Sequence, residues 1–139
     1  AAPGQAAAPA PTPPAPTGDL LTDRMNTAAF ESAQEWKPTS ALERIDVKRK
    51  GEEHGFEVQL PGPPFCHTYI AVAEDDVKSF TIDVESPSEE EEGDAENEDD
   101  EHHAVIAEHC PTTPGTYQFF FESKKGKGEV ALQVFSKAK

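Results

Sequence analysis

The sequence predicts an all-β fold: a two-sheet antiparallel β-sandwich, jelly-roll-like, with about seven strands and a short N-terminal helix. Two observations predict it. From about residue 42, apolar and polar residues alternate with a period of two, which is typical of strands that turn one face to a core. Turn-forming clusters rich in Gly, Pro, Asp and Glu separate these stretches, and no helical pattern interrupts them. Short strands without intervening helices pack naturally as two antiparallel sheets.

The first 18 residues predict a disordered tether. Of the first 16 residues, seven are Ala and six are Pro, and such a tract can neither bury a core nor form regular backbone hydrogen bonds. We therefore expect residues 1–18 to be semi-extended. The chain begins with Ala, and Ala/Pro-rich tethers often follow the processed end of a secreted protein or lipoprotein. We expect either a leader or lipid anchor removed upstream of residue 1, or a trimmed chain.

Residues 19–38 predict an amphipathic helix. Its apolar residues recur at spacings of four, four and three: Met25, Ala29, Ala33 and Trp36. The Pro at the end of this range stops the pattern.

This helix has two interpretations. The favoured one is that the helix packs on the domain, because single apolar stripes mostly serve packing. The alternative is that the tether presents the helix to a partner, which would then contact Met25, Phe30 and Trp36.

Residues 42–137 predict the sandwich domain. The strand candidates are 45–48, 56–60, 66–73, 80–84, 104–110, 117–122 and 130–135. In the last of these, Val130, Leu132 and Val134 alternate with Ala131 and Gln133, which gives one apolar face.

Acidic charge is concentrated between two of these strands. Residues 89–101 contain ten of the 27 acidic residues and no Lys or Arg. Like charges at this density repel one another and resist packing, so we expect a solvated, mobile polyacidic loop at 86–103. The formal net charge of −15 argues against nucleic acid and against an anionic membrane surface as partners.

The chain has two cysteines, Cys66 and Cys110. Without other redox or metal-binding spacing, one disulfide between them is the simplest interpretation. It would place the protein in an oxidising compartment: secreted, periplasmic or on the cell surface of a bacterial envelope. The alternative is a pair of buried free thiols in a cytoplasmic protein.

Residues 54–136 resemble a known family. The passage Phe65–Ala73 followed by Val77–Val84, and later His109-Cys110-Pro111 with Pro114–Phe119 and Gly126–Val134, looks like a bacterial pre-peptidase C-terminal-like module. The paired cysteines are similar to the disulfide-containing variants of delta-type bacteria. The resemblance implies a jelly-roll-like sandwich with a non-catalytic role in secretion, stability, adhesion or substrate approach. Some members of the family bind calcium through acidic loop residues, but the long polyacidic insertion departs from their pattern.

Calcium is the metal that the acidic run suggests. Asp94, Asp99, Asp100 and Glu101 supply the oxygen ligands that Ca²⁺ prefers, although they lack the order of a formed calcium loop. A solvated charge run is the favoured alternative. A third interpretation makes the run a contact for a basic partner surface.

Histidines supply a further candidate site. His103 and His109 differ by an even number, so a regular strand would put them on one face, with His67 across from them. Three imidazoles could bind zinc or copper. Ordinary exposed histidines are the favoured alternative.

We find no motif for catalysis, neither a nucleophile elbow nor a phosphate loop. The sequence therefore predicts a non-catalytic, tethered envelope lipoprotein that acts as a structural or accessory subunit of a larger assembly and binds a protein partner. The alternative is a calcium-dependent adhesion or carbohydrate-binding module.

Overall fold

A computed structural model describes residues 12–98 and 100–139. One helix is followed by nine strands: α1 (Leu20–Ser32), β1 (Lys37–Pro38), β2 (Glu43–Val47), β3 (Glu53–Leu60), β4 (Phe65–Ala73), β5 (Ser79–Glu85), β6 (Glu91–Glu96), β7 (His103–His109), β8 (Gly115–Lys125) and β9 (Gly128–Ala138). The predicted all-β, two-sheet antiparallel architecture with one short helix is confirmed.

The strands form two stacked sheets. Sheet A has the order β1-β9-β4-β7, with β2 also paired to β9, and sheet B has the order β3-β8-β5-β6. From β2 to β9 the chain changes sheet at every connection except the β5–β6 hairpin. Alternating residues of both sheets point inward and form the main core, which includes Tyr69, Phe80, Phe121 and Leu132.

The helix covers the outer face of sheet A. Leu21, Met25 and Ala28 pack on Ile70 and Val72, which are the outward-facing residues of β4. Both faces of β4 are therefore buried, and eight of its nine residues belong to the buried class. The interpretation in which the helix packs on the domain is what the structure shows.

The helix is shorter than predicted. It ends at Ser32, Glu35 has a φ of 69°, and the chain is extended from Lys37. A proline restricts the residue before it to extended conformations, so Pro38 places Lys37 in β1 and the helix has to end further upstream.

The polyacidic segment is not a loop throughout. Residues Glu91–Glu96 form β6 and pair with β5, so the prediction of a loop over all of 86–103 is wrong for these six residues. Gly93 and Ala95 point inward and pack on the core, while alternate carboxylates stay in water. A strand with one small, half-buried face tolerates this charge because the charged side chains share the solvent side.

Candidate functional site

Two β-bulges shape the end of the sandwich near the disulfide. In β7, His109 lies opposite His67, but Ile106 lies opposite Tyr69, so β7 has one extra residue between these pairs. Glu108 absorbs the irregularity with a φ of 58°. Because an extra residue reverses the alternation of faces, His109 turns inward even though Val105 faces the helix.

The second bulge lies in β6, on the facing sheet. Val84 pairs with Gly93, whereas Glu85 pairs with Glu91, so Glu92 is the extra residue. Its side chain crosses to sheet A, and Glu92 Oε1 lies 2.6 Å from His109 Nε2. The two bulges thus aim one carboxylate and one imidazole at each other across the gap between the sheets.

A chain of hydrogen bonds runs inward from this contact. Tyr69 Oη lies 2.7 Å from His109 Nδ1, and the Tyr69 side chain is fully buried. Burial raises the pKa of Tyr69 above its ordinary value, with smaller contributions from Tyr117 and Glu92, so the phenol keeps its proton. Tyr69 therefore donates to Nδ1, and the Nε2–H of His109 donates to Glu92.

His67 lies beside this chain as the cross-strand neighbour of His109. It is 0% exposed, and its Nδ1 lies 2.6 Å from Ser136 Oγ. Its Nε2 is buried and has no hydrogen-bond partner among the described residues. Burial, with a smaller contribution from the nearby His109, lowers the pKa of His67 to about 4, so His67 is neutral at physiological pH.

The arrangement favours a structural role over acid–base chemistry. The Tyr69 hydroxyl and the His67 ring are sealed in the core, out of reach of a substrate. Glu92 is the member of the chain that reaches solvent, at a groove of about 290 Å³ that Ser86, Thr113 and Tyr117 also line. This chain of hydrogen bonds joins edge strand β7 of sheet A to edge strand β6 of sheet B.

The predicted three-histidine site does not form. His67 and His109 are neighbours, but His103 lies opposite Val72 on the helix side of sheet A. The β7 bulge is the reason, since it puts His103 and His109 on opposite faces in spite of their even spacing.

A different group of carboxylates converges on the outer face of sheet B. Asp83, Glu91 and Asp94 each place an oxygen within 4.8 Å of the others. Burial raises the pKa of Asp83, and the hydrogen bond with Asp83 raises the pKa of Glu91, so both carboxyl groups hold their protons to a higher pH than isolated Asp and Glu do. This is the one group of three possible metal ligands in the described ranges.

The predicted calcium ligands are not brought together. Asp94 belongs to the outer-face group, whereas Asp100 and Glu101 line a groove of about 370 Å³ beside Asp23 and Glu31. Asp99 lies outside the described residues. The sequence did contain a signal for Asp83, because alternation in β5 puts it on the outer face, but it gave no sign that β5 pairs with the acidic run.

The predicted partner-binding residues differ in their accessibility. Met25 is 2% exposed and packs inside the domain, so it does not present a contact surface. Phe30 and Trp36 are half-buried, and Lys139 Nζ lies 5.9 Å from the centre of the Trp36 ring. Partner contact by Phe30 and Trp36 stays a prediction.

Cys66 and Cys110 form the predicted disulfide. Cys66 is buried in β4, Cys110 follows β7, and the bond ties these neighbouring strands together next to the hydrogen-bonded chain. A disulfide is typical of oxidising compartments and is compatible with a secreted protein.

The chain matches no protein-family model, and a search of curated proteins finds no match either. Within the part of the chain that the structure describes, α1 is too short and too polar to cross a membrane. The function is therefore inferred from surfaces and chemistry.

Proposed function

We propose that this protein is a non-catalytic extracytoplasmic binding domain, an accessory subunit that docks a basic partner on the outer face of sheet B. We further propose that it is carried as a tethered envelope lipoprotein, in line with its Ala/Pro-rich N-terminal segment. The resemblance of residues 54–136 to pre-peptidase C-terminal-like modules supports a non-catalytic, secreted role. The disulfide supports an oxidising location.

One observation carries this proposal: the outer faces of the two sheets differ in whether another element covers them. The helix covers the outer face of sheet A, whereas no described element packs on the outer face of sheet B. All four strands of sheet B place carboxylates on that bare face. They are Glu53, Glu57, Asp83, Glu85, Glu91, Asp94, Glu96 and Glu122.

The physical reason is the local charge density. Asp83 and Asp94 are directly opposite each other across two strands, and like charges in that position destabilise a sheet. Burial raises the pKa of Asp83, and repulsion by Asp94 and its acidic neighbours adds to this increase. A basic partner surface would relieve the repulsion, and the acidic field would speed its association.

Binding of a lysine- and arginine-rich peptide tests the proposal. We expect the triple variant Asp83→Asn, Glu91→Gln, Asp94→Asn to weaken binding by about tenfold at low salt. The matched control is Glu31→Gln, Asp76→Asn, Glu89→Gln, which removes the same charge from exposed positions elsewhere. Equal losses in both variants would mean that net charge alone acts, and the outer face would lose its assigned role.

The proposed location has a separate test. Alkylation of the protein taken from its native source without reductant should leave Cys66 and Cys110 unmodified. Modification of both thiols would place the protein in a reducing compartment and remove the extracytoplasmic part of the proposal.

A second candidate function is a calcium-dependent adhesion module. The convergence of Asp83, Glu91 and Asp94 on one point favours it, because carboxylate oxygens are the ligands that Ca²⁺ prefers. Millimolar calcium should then raise the midpoint of thermal unfolding by several degrees, by binding the native state alone. Asp83→Asn should abolish the shift and Asp76→Asn should keep it. An unchanged midpoint in calcium and in EDTA would leave the basic-partner proposal.

A further inference from the structure

Strand β3 is an edge strand whose backbone is free along one side. Residues Glu53–Leu60 pair with β8 in an unbroken register, and β8 is the partner that the described residues give β3. The Ser123 N–H donates to the Glu52 carbonyl, which fixes the alternation: even-numbered residues of β3 bond to β8. The backbone groups of Gly55, Glu57 and Gln59 therefore point to the open edge.

The other edges of the sandwich are protected. β6 carries acidic side chains and a bulge, and β7 carries a bulge at 107–108. The remaining edge of sheet A is formed by the short strands β1 and β2. Both pair with β9, and residues 39–42 separate them. β3 has neither a bulge nor a proline, and those are the devices that proteins use to block strand addition.

An apolar groove of about 100 Å³ lies beside this open edge. It opens where β1 and β2 separate, and its lining includes Ser40, Phe56, Val58, Phe119, Leu132 and Val134. Phe56 and Val58 face inward yet are only half-buried, whereas Phe119 and Leu132 are 2% and 1% exposed. The volume is smaller than the dry cavities of about 150 Å³ that bind benzene in other proteins, so it suits one aliphatic side chain.

Carboxylates flank the groove. Glu43 of β2 and Glu57 of β3 line it, and both are exposed. They would repel an acidic strand, and this chain with its net charge of −15 is therefore a poor occupant in a second copy. Lys or Arg next to an aliphatic residue would complement both the charge and the apolar lining.

We propose that a partner protein docks here as an extended segment, adding a strand to the β3 edge, with an aliphatic side chain in the groove and Lys or Arg beside Glu43 and Glu57. Main-chain hydrogen bonds to Gly55, Glu57 and Gln59 would provide affinity, and the groove would provide specificity. The inference rests on the proposed function in assuming a protein partner; its surface is the β3 edge of sheet B, which shares Glu57 with the acidic outer face.

Amide hydrogen exchange on the intact protein tests this without a variant. The probe is a ten-residue peptide that alternates valine with lysine, and its control replaces lysine by glutamate. The lysine peptide should slow exchange at Gly55, Glu57 and Gln59 by about tenfold or more, and the glutamate peptide should leave these amides unchanged. Unchanged exchange at these three amides with bound lysine peptide would overturn the inference.

A backbone variant gives a second readout. Gln59→Pro removes one edge N–H without changing the charge and should weaken peptide binding by about tenfold, while Gln59→Ala keeps the N–H and should bind within about twofold of wild type. Equal affinity of both variants would contradict strand addition. Binding that survives Gln59→Pro but not the Asp83, Glu91 and Asp94 substitutions would overturn this inference and support the outer-face proposal; the reverse pattern would do the opposite.

Discussion

His67 combines full burial with an unused ring nitrogen. Its Nδ1 has Ser136 as a partner, its Nε2 makes no hydrogen bond among the described residues, and the backbone of Pro61 favours the charged ring less than burial opposes it. Protonation would also place a second positive charge next to His109 whenever that ring is charged. The native state therefore holds His67 neutral, whereas the unfolded chain lets it titrate normally.

This difference predicts a stability loss in mild acid. The pKa of His67 falls from 6.5 to about 4 on folding, so between these values the unfolded state binds more protons and the free energy of unfolding decreases as the pH falls. The loss attributable to His67 is at most about 3 kcal/mol. Urea denaturation of wild type and His67→Gln between pH 7 and pH 4 measures it.

The two proteins should lose stability with different slopes in that range, the variant having the shallower one. Asn26→Gln, a non-titrating change at a half-buried surface position, is the control and should keep the wild-type slope. The raised pKa values of Asp83 and Glu91 act in the opposite sense, but they are common to all three proteins. Identical slopes for wild type and His67→Gln would show that this imidazole does not sense pH.

The Tyr69–His109 hydrogen bond predicts strong coupling between its two residues. Tyr69→Phe leaves the His109 Nδ1 without its donor, and His109→Ala leaves a buried hydroxyl without an acceptor. Each change should lower the free energy of unfolding by about 1–3 kcal/mol. The double variant should lose about 1 kcal/mol less than the sum of the two, which a double-mutant cycle measures. Additive losses would mean that the bond contributes nothing to stability.

At the scale of elements, the turn from β8 to β9 depends on a glycine. Gly126 has a φ of 99°, and a Cβ at this position would lie 1.9 Å from the Asp76 carbonyl oxygen. Gly51 has a similar φ of 81°, but a Cβ there would meet nothing within 4 Å. Substitutions at these two positions therefore distinguish the cost of backbone strain alone from the cost of strain plus a steric clash.

We expect Gly126→Ala to destabilise the protein by about 3 kcal/mol or more and Gly51→Ala by about 1–2 kcal/mol. Chemical denaturation of both variants checks the difference. If Gly126→Ala cost no more than Gly51→Ala, the approach of the β8–β9 turn to the Asp76 backbone would be looser than described.

The sequence predicted the elements in which large apolar side chains mark the buried face. Alternation located β5 and β9, and the apolar stripe located α1, because both patterns reflect which side chains leave water. β6 was missed because its inward positions are Gly93 and Ala95, which are too small to show an apolar face beside so much charge.

The two bulges could not be predicted from the sequence either, and neither could the site that depends on them. One extra residue in β7 and one in β6 have no signature in composition, yet they decide that His109 and Glu92 meet. A single sequence also does not reveal which strands pair with each other. Alternation assigns Asp83 to a face, but it does not identify Asp94 as its cross-strand neighbour. The disulfide was predictable because only two cysteines were available.

At the scale of the whole molecule, the disulfide restrains the segment that contains the acidic strand. The sequence separation of Cys66 and Cys110 is 44 residues, and closing a loop of that length stabilises a fold by about 4 kcal/mol in the chain-entropy description. We expect the double variant Cys66→Ser, Cys110→Ser to lose about 2–4 kcal/mol of unfolding free energy while keeping its β-rich circular dichroism spectrum. A loss below about 1 kcal/mol would mean that strand pairing alone already restrains the segment.

The position of β9 in the sequence determines when sheet A can form during synthesis. β9 pairs with β1, β2 and β4, so none of these strands has its sheet-A neighbour on that side until the chain has been made as far as residue 138. A chain that stops short of β9 exposes the apolar residues of β4 with nothing to pair them, and such exposed strands are prone to aggregate. Sheet A can therefore complete its strand pairing only after β9 has been synthesised.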